Sequence, residues 1–329
     1  MYAMPYPVAL FVYRRQEHTH ATLTLLQKNA LAKESNLFVF CDGPKHASDH
    51  NAVSEVRKTV QNVSGFKNVE IIYRDNNLGL SQSIISGVSE ILKTFNGVII
   101  VEDDLNTDPG FLFYMNTALD YYSARPDIFS VSGFVPKIHI PPEFRHDSFL
   151  FPIRSHCWGW GTWRRVWQEV DWNMSDYNEF IINKKKNELF NSAGSDMAPM
   201  LRRQMAGLID SWSIRFDYHH MMRNGYCVYP VRSYIQNTGL DGSGTNCGKS
   251  YSSRNPYADS AHIQKINSNL SEVTSINAFS FADQPDKIMI RILNEYFRDA
   301  AKPSIRDFFL NYLRAAIKKV TFFFSNLFK

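Results

Sequence analysis

Four short apolar runs punctuate the first 125 residues: Val8 to Tyr13, Leu37 to Cys41, Val69 to Tyr73 and Val98 to Val101. Runs of this length without polar alternation predict strands buried on both faces of a sheet. Between them, apolar residues recur at helical spacing, as Leu23, Leu26 and Ala30, then Val53, Val56 and Val60, then Ile84, Val88 and Ile91. Strands alternating with helices give a mostly parallel sheet with crossover helices. A further helix should follow the fourth strand, with Asp108 as N-cap, Pro109 in its first position, and Phe111, Met115, Ala118 and Tyr122 on its inner face.

The pattern changes after Pro126. Short strand candidates appear at Ile128 to Val131, Phe149 to Ile153 and Cys227 to Val231, around a Trp-rich segment from Trp158 to Trp172 and a polar insert near Lys184 to Ser195. This predicts a second lobe built onto the same sheet. The stretch Asp241-Gly242-Ser243-Gly244-Thr245 reads as a loop able to close over a ligand, because two glycines among small polar residues support neither helix nor central strand. The expected organisation is residues 1–125 and 126–261 as two halves of one catalytic domain, then 262–329 as a polar linker, a helix from Ile288 to Phe297 and a basic tail.

Composition narrows the class. With 329 residues, 44% hydrophobic and 21% charged, the chain has ample material for a large core, and it lacks the low-complexity tracts and repeats of disordered or solenoid proteins. The net charge of +4 is concentrated at the end: from Lys302 onward six basic residues stand against one acid, Asp307. A basic body that binds nucleic acid is therefore not expected. In the tail, Phe308, Phe309, Leu313, Ile317, Phe322, Phe323, Phe324 and Phe328 alternate with lysine and arginine, too charged for a span but suited to an interfacial helix. The other reading of the tail is a helix packed on the body or a partner. Cys41, Cys157, Cys227 and Cys247 are widely spaced and form no CxxC pair, which argues against a zinc or disulfide framework. With no signal-peptide pattern at Pro7 to Tyr13, a cytoplasmic location is expected, peripheral on the inner face of the plasma membrane.

Chemistry concentrates at Val101-Glu102-Asp103-Asp104. A buried parallel strand delivers three carboxylates at its C-terminal end, the edge where open α/β sheets bind ligands. Three adjacent acids repel one another unless a cation or donors compensate, and oxygen ligands of this kind suit magnesium or manganese bridging to a diphosphate. The competing reading, an acidic loop that merely serves the next helix, is weakened because Asp108 and Pro109 already supply that start.

Val-Glu-Asp-Asp-Leu followed by Asp-Pro-Gly-Phe resembles the DxD-type metal site of GT-A-fold glycosyltransferases, especially the N-acetylglucosaminyltransferase I type and bacterial family 2 relatives, over roughly residues 7 to 245. The resemblance implies an α/β fold with a GT-A-like, Rossmann-type, mostly parallel sheet flanked by helices, a mixed acceptor-side lobe and a C-terminal helical tail. It implies Mn2+ or Mg2+ as cofactor, held directly by Asp104, with Glu102 and Asp103 contacting the sugar and ribose of the donor. Arg15 falls where such enzymes place a nucleotide-contacting arginine, and Asp42 where an acid accepts a hydrogen bond from uracil, favouring a UDP-sugar. Arg74 to Gly79, with Asn77 and Gly79, matches the sugar-nucleotide loop, although turn formation explains that composition equally well. The segment from Gly239 to Thr245 matches one that orders over bound donor.

The second half is expected to supply the acceptor site and the base. Trp158 and Trp160, set among glycines, are either sugar-stacking faces or core, whereas Trp163 and Trp167, four apart, point to core packing. Cysteine chemistry at His156-Cys157 is not expected, since adjacent side chains seldom converge. Leu208-Ile209-Asp210-Ser211-Trp212 resembles the family's acid-before-tryptophan segment, which makes Asp210 the candidate base of a single inverting displacement. The match departs by one residue, and Asp217 is the substitute. Lys184-Lys185-Lys186 reads as a solvated face. The expected partners are a nucleotide-sugar donor and a glycan or glycolipid acceptor. Nucleotidyl transfer to a sugar phosphate is the rival enzyme reading, but Arg14-Arg15-Gln16-Glu17-His18 is unlike a glycine-rich phosphate loop. A non-catalytic carbohydrate-binding or membrane-active protein is the rival from another class.

Overall fold

The computed structural model describes residues 4–243 and 279–300. The four apolar runs form β1 (Val8–Val12), β2 (Asn36–Cys41), β3 (Asn68–Tyr73) and β4 (Gly97–Glu102), joined by helices α1 (Gln16–Leu26), α2 (His50–Gln61) and α3 (Leu80–Thr94). All adjacent pairs in the order β3-β2-β1-β4 are parallel. The periodic positions Val53, Val56, Val60, Ile84, Val88 and Ile91 are buried against this sheet, each worth about 1.5–3 kcal/mol. Two expectations change. Strand β3 is an edge strand with no fully buried residue, and Ala30 lies beyond the end of α1.

The sheet continues into the second half without a break. Strand β8 (Trp160–Trp163) runs antiparallel to both β4 and β6 (Ile128–Ser132), and β6 pairs in parallel with β9 (Tyr226–Pro230). Strand β7 (Ser148–Pro152), antiparallel to β9, closes an eight-stranded α/β sheet that is largely parallel and partly mixed, as expected. A separate two-stranded antiparallel ribbon joins β5 (Leu105–Thr107) to β10 (Ile235–Asn237).

Helix α4 (Phe111–Tyr121) is buried nearly all round. It starts later than the sequence implies. Asp108 is buried before it, accepting the Gly110 N–H at 2.7 Å, so it organises the turn rather than capping the helix. The polar insert is helical: α5 (Arg164–Trp167) is followed by α6 (Tyr177–Ile182), α7 (Lys184–Asn191), α8 (Met197–Met205) and α9 (Ser213–Arg223). The inner faces of α6 to α9 form a second apolar cluster with β7 and β9, whereas Val166 and Trp167 of α5 join the first.

Phe281, Ala282, and Met289, Leu293 and Phe297 of α10 (Lys287–Ala300) are buried on the body, so this part of the 262–329 stretch packs as core. The basic tail from Lys302 and the loop residues Gly244 and Thr245 lie outside the described residues. Among the described residues no helix is long and apolar enough to cross a membrane.

Candidate active site at the strand ends

Strand β4 ends at Glu102, and the chain turns at Asp103 and Asp104 before entering β5. Pairing of β5 with β10 fixes that turn, because Thr238, the residue after β10, gives both its N–H (2.8 Å) and its hydroxyl (3.0 Å) to the Asp104 carbonyl. From the other side, the Thr22 hydroxyl of α1 donates to the Asp103 carbonyl at 2.8 Å. The acids are thus held by backbone anchors that leave their carboxylates free for other partners.

One of those partners is Arg15, three residues beyond the end of β1. Its guanidinium pairs with Asp103 and, at 2.9 Å, with Asp104. Burial works against the Arg15 charge, but the two carboxylates outweigh it and raise its pKa above the ordinary value. Its Nη1 atom is buried and has no partner among the described residues. The Glu102 carboxyl makes no ion pair or hydrogen bond with any described residue, and desolvation, then Asp104 and Asp103, push it up to about 8. Asp103 is also raised, mainly by desolvation. Three carboxyl groups therefore face one guanidinium, and burial together with their mutual repulsion keeps a proton on Glu102 unless a cation compensates.

Gly239 closes the cluster. A Cβ on this residue would lie 1.9 Å from Asp104 Oδ2 and 2.9 Å from Arg15 Nη1, so only glycine permits the backbone to approach. Two residues on, Asp241 meets His18 of α1 at 3.3 Å. Neither Thr238 nor the Gly239 contact is foreshadowed by spacing; the glycine itself was the available signal.

The second group gathers at the end of β2. Asp42 is buried and accepts from Gly43 N (3.0 Å), Asn77 Nδ2 (3.0 Å), Leu78 N (2.9 Å) and Gly79 N (3.2 Å). In this state its oxygens hold the 75–79 loop. Gly79, at φ +76°, turns that loop into α3, and the Asp210 carboxylate sits beside it, accepting from Ser81 N at 3.1 Å near the helix N-terminus. Arg215 joins the same corner by donating to the Ser81 hydroxyl and, at 2.8 Å, to the Trp172 carbonyl. Asp210 is exposed. Asp217 is buried in α9, where its carboxylate accepts both the N–H and the hydroxyl of Ser155 at 2.6 Å. Desolvation pushes it up to about 7 despite those hydrogen bonds.

The aromatic candidates separate. Trp160, in β8 opposite Ile100, is core: it is 1% exposed and stacks on Trp212 at 4.5 Å. Trp163 and Trp167 are buried as well. Trp158 lies just before β8 at the rim of the sheet, partly buried, edge-on to Phe134 (4.5 Å) and His156 (5.0 Å). Cys157 beside it is held well above its ordinary pKa by burial, with Glu102 and Asp217 adding to the effect, so it is a protonated wall and no nucleophile.

Among the described residues no group of three or more His, Cys, Asp or Glu side chains is arranged to hold a metal ion. The donor set still fits a hard divalent cation. The three carboxyl groups outnumber the one guanidinium beside them, and Arg15 presents a donor without a partner among the described residues that an incoming anion would satisfy.

No protein-family model matches this chain, and no curated protein matches it. A solved structure with some similarity is the mannosyltransferase PcManGT from Pyrobaculum calidifontis in complex with GDP-Man and Mn2+, at 14% identity and a TM-score of 0.34. The match covers 52% of this chain and spans about half, 50%, of the length of that one.

Proposed function

We propose that the protein is a glycosyltransferase that moves a sugar from a nucleotide donor, a UDP-sugar in the reading favoured by Asp42, to a hydroxyl of a glycan or glycolipid acceptor. The observation that carries this reading is the excess of carboxyl groups over guanidinium at the C-terminal end of β4, beside a buried arginine donor without a partner among the described residues. A divalent cation with a diphosphate supplies both missing charges.

Arg15 then divides its guanidinium between Asp103 and the diphosphate, holding the leaving group by a charge-assisted hydrogen bond. Asp104 would hold Mn2+ or Mg2+, with Glu102 and Asp103 oriented toward the sugar and ribose. When bound, the ion would supply Lewis-acid stabilisation of the negative charge that develops on the departing diphosphate. The 75–79 loop, with Asn77 and Gly79, borders the donor, and Asp42 reaches the base only by releasing some of its loop hydrogen bonds.

For the inverting displacement, Asp210 is the proposed base. Its carboxylate is exposed and held by a single backbone N–H, so it can accept a proton from the acceptor hydroxyl, whereas the Asp217 carboxylate is committed to Ser155. Trp158, at the rim, is the candidate for the apolar face of the acceptor; Trp160 belongs to the core and takes no part. A panel of nucleotide sugars, assayed for nucleoside diphosphate release with and without manganese, tests the reading. Manganese-dependent release by the parent and its loss in Asp104→Ala are expected; silence across the panel would refute it.

A further inference from the structure

Helices α6, α7 and α8 pack side by side on the second lobe, with Phe180, Phe190, Met197 and Leu201 turned inward. Their outer faces keep large apolar side chains in water. Ile182 is 81% exposed, Leu208 just beyond α8 is 70% exposed, and Leu189 is 49% exposed. Such side chains scattered singly would need no explanation, but here they are interleaved with Lys184, Lys185 and Arg203. Lys184 reaches Glu188 only at 3.7 Å and is 89% exposed, while Lys185 and Arg203 have no ion pair with any described residue.

We propose that this α6–α8 face docks on an anionic lipid bilayer. The exposed aliphatic side chains would enter the headgroup boundary while the unpaired cations meet lipid phosphates, the combination that amphipathic surfaces use at membranes. Charge complementarity selects this occupant, since a purely apolar partner would leave Lys185 and Arg203 uncompensated and a polar acidic one would leave Ile182 and Leu208 in water. Leu208 lies two residues before Asp210 in the chain. This docking is independent of the basic tail and does not require sugar transfer to be correct.

Flotation of the full chain with neutral phosphatidylcholine vesicles and with vesicles containing phosphatidylglycerol tests it. Binding only to the anionic vesicles is expected, weakening at raised salt. Two full-chain variants with the tail intact, Ile182→Asp with Leu208→Asp and Lys185→Glu with Arg203→Glu, should each bind about tenfold more weakly. These positions are exposed, so an unchanged melting temperature would certify the fold. No binding by the parent, equal binding to neutral vesicles, or variants that bind as the parent does would each overturn the proposal.

Discussion

Single atoms decide whether the acidic cluster is tenable. A methyl group at residue 239 would overlap the Asp104 carboxylate at 1.9 Å, so Gly239→Ala should displace Asp104 or Arg15 at a cost of about 1–3 kcal/mol. Thermal unfolding would register that loss, and a variant as stable as the parent would show that the backbone does not press on the acids. Asp217 offers a pH-dependent counterpart. Its folded pKa, about 7 against a reference of 3.8, means the native state keeps a proton that the unfolded chain has released. Stability from this group is therefore lost as pH rises through that window. Asp217→Asn, which can still accept from Ser155, should stabilise the protein at pH 8 by on the order of 2 kcal/mol, with the gain vanishing near pH 4. Melting temperatures across that range, parent against variant, would settle the sign. At this scale the sequence was legible for acids whose neighbours are local. Glu102, Asp103 and Asp104 follow from a strand end, but the Thr238 anchor lies 134 residues away and Trp160 is core because β8 inserts beside β4. No local spacing encodes either.

Secondary-structure elements differ in how plainly they announce themselves. Strands β1, β2 and β4 are flanked on both sides and read as continuous apolar runs, and α2 and α3 bury the positions that their period marks. Strand β3 has the same apolar look but only one neighbour, so its exposure depends on its place at the edge. The three-residue strands β5 and β10 are too short to show alternation, yet they anchor the Asp103–Asp104 turn. Thr238→Val should weaken this ribbon by about 1 kcal/mol, since one of two hydrogen bonds to the Asp104 carbonyl is lost, and manganese affinity should fall with it. An unchanged affinity would separate the ribbon from the site. Helix α10 was legible as a helix, but its role as a wall of the second cluster was not, because that depends on β7 and on Arg154, whose guanidinium lies 4.1 Å from the Phe297 ring centroid. Truncating Phe297 to alanine should cost about 3–5 kcal/mol in a denaturant titration; a surface-helix loss below about 0.5 kcal/mol would contradict that packing.

Across the whole molecule, one sheet carries two kinds of task. Its parallel half ends in charge, at Arg15, Asp42 and Glu102 to Asp104, while its mixed half brings Cys157 and Trp158 to the same rim through an antiparallel β8. This division explains why the α/β class and the charged edge could be read from the chain, whereas the helical side of the mixed half could not: helices α6 to α9 fold around residues distant in sequence. The central claim is that the carboxylates at the end of β4 hold a divalent ion against a diphosphate, with Arg15 completing the clamp. Crystals grown with Mn2+ and UDP and measured at the manganese absorption edge test this most directly. The account predicts an anomalous peak bonded to Asp104, with diphosphate oxygens on the ion and on Arg15. A nucleotide bound elsewhere, or Arg15 still locked between Asp103 and Asp104 with no peak beside them at saturating manganese, would contradict it.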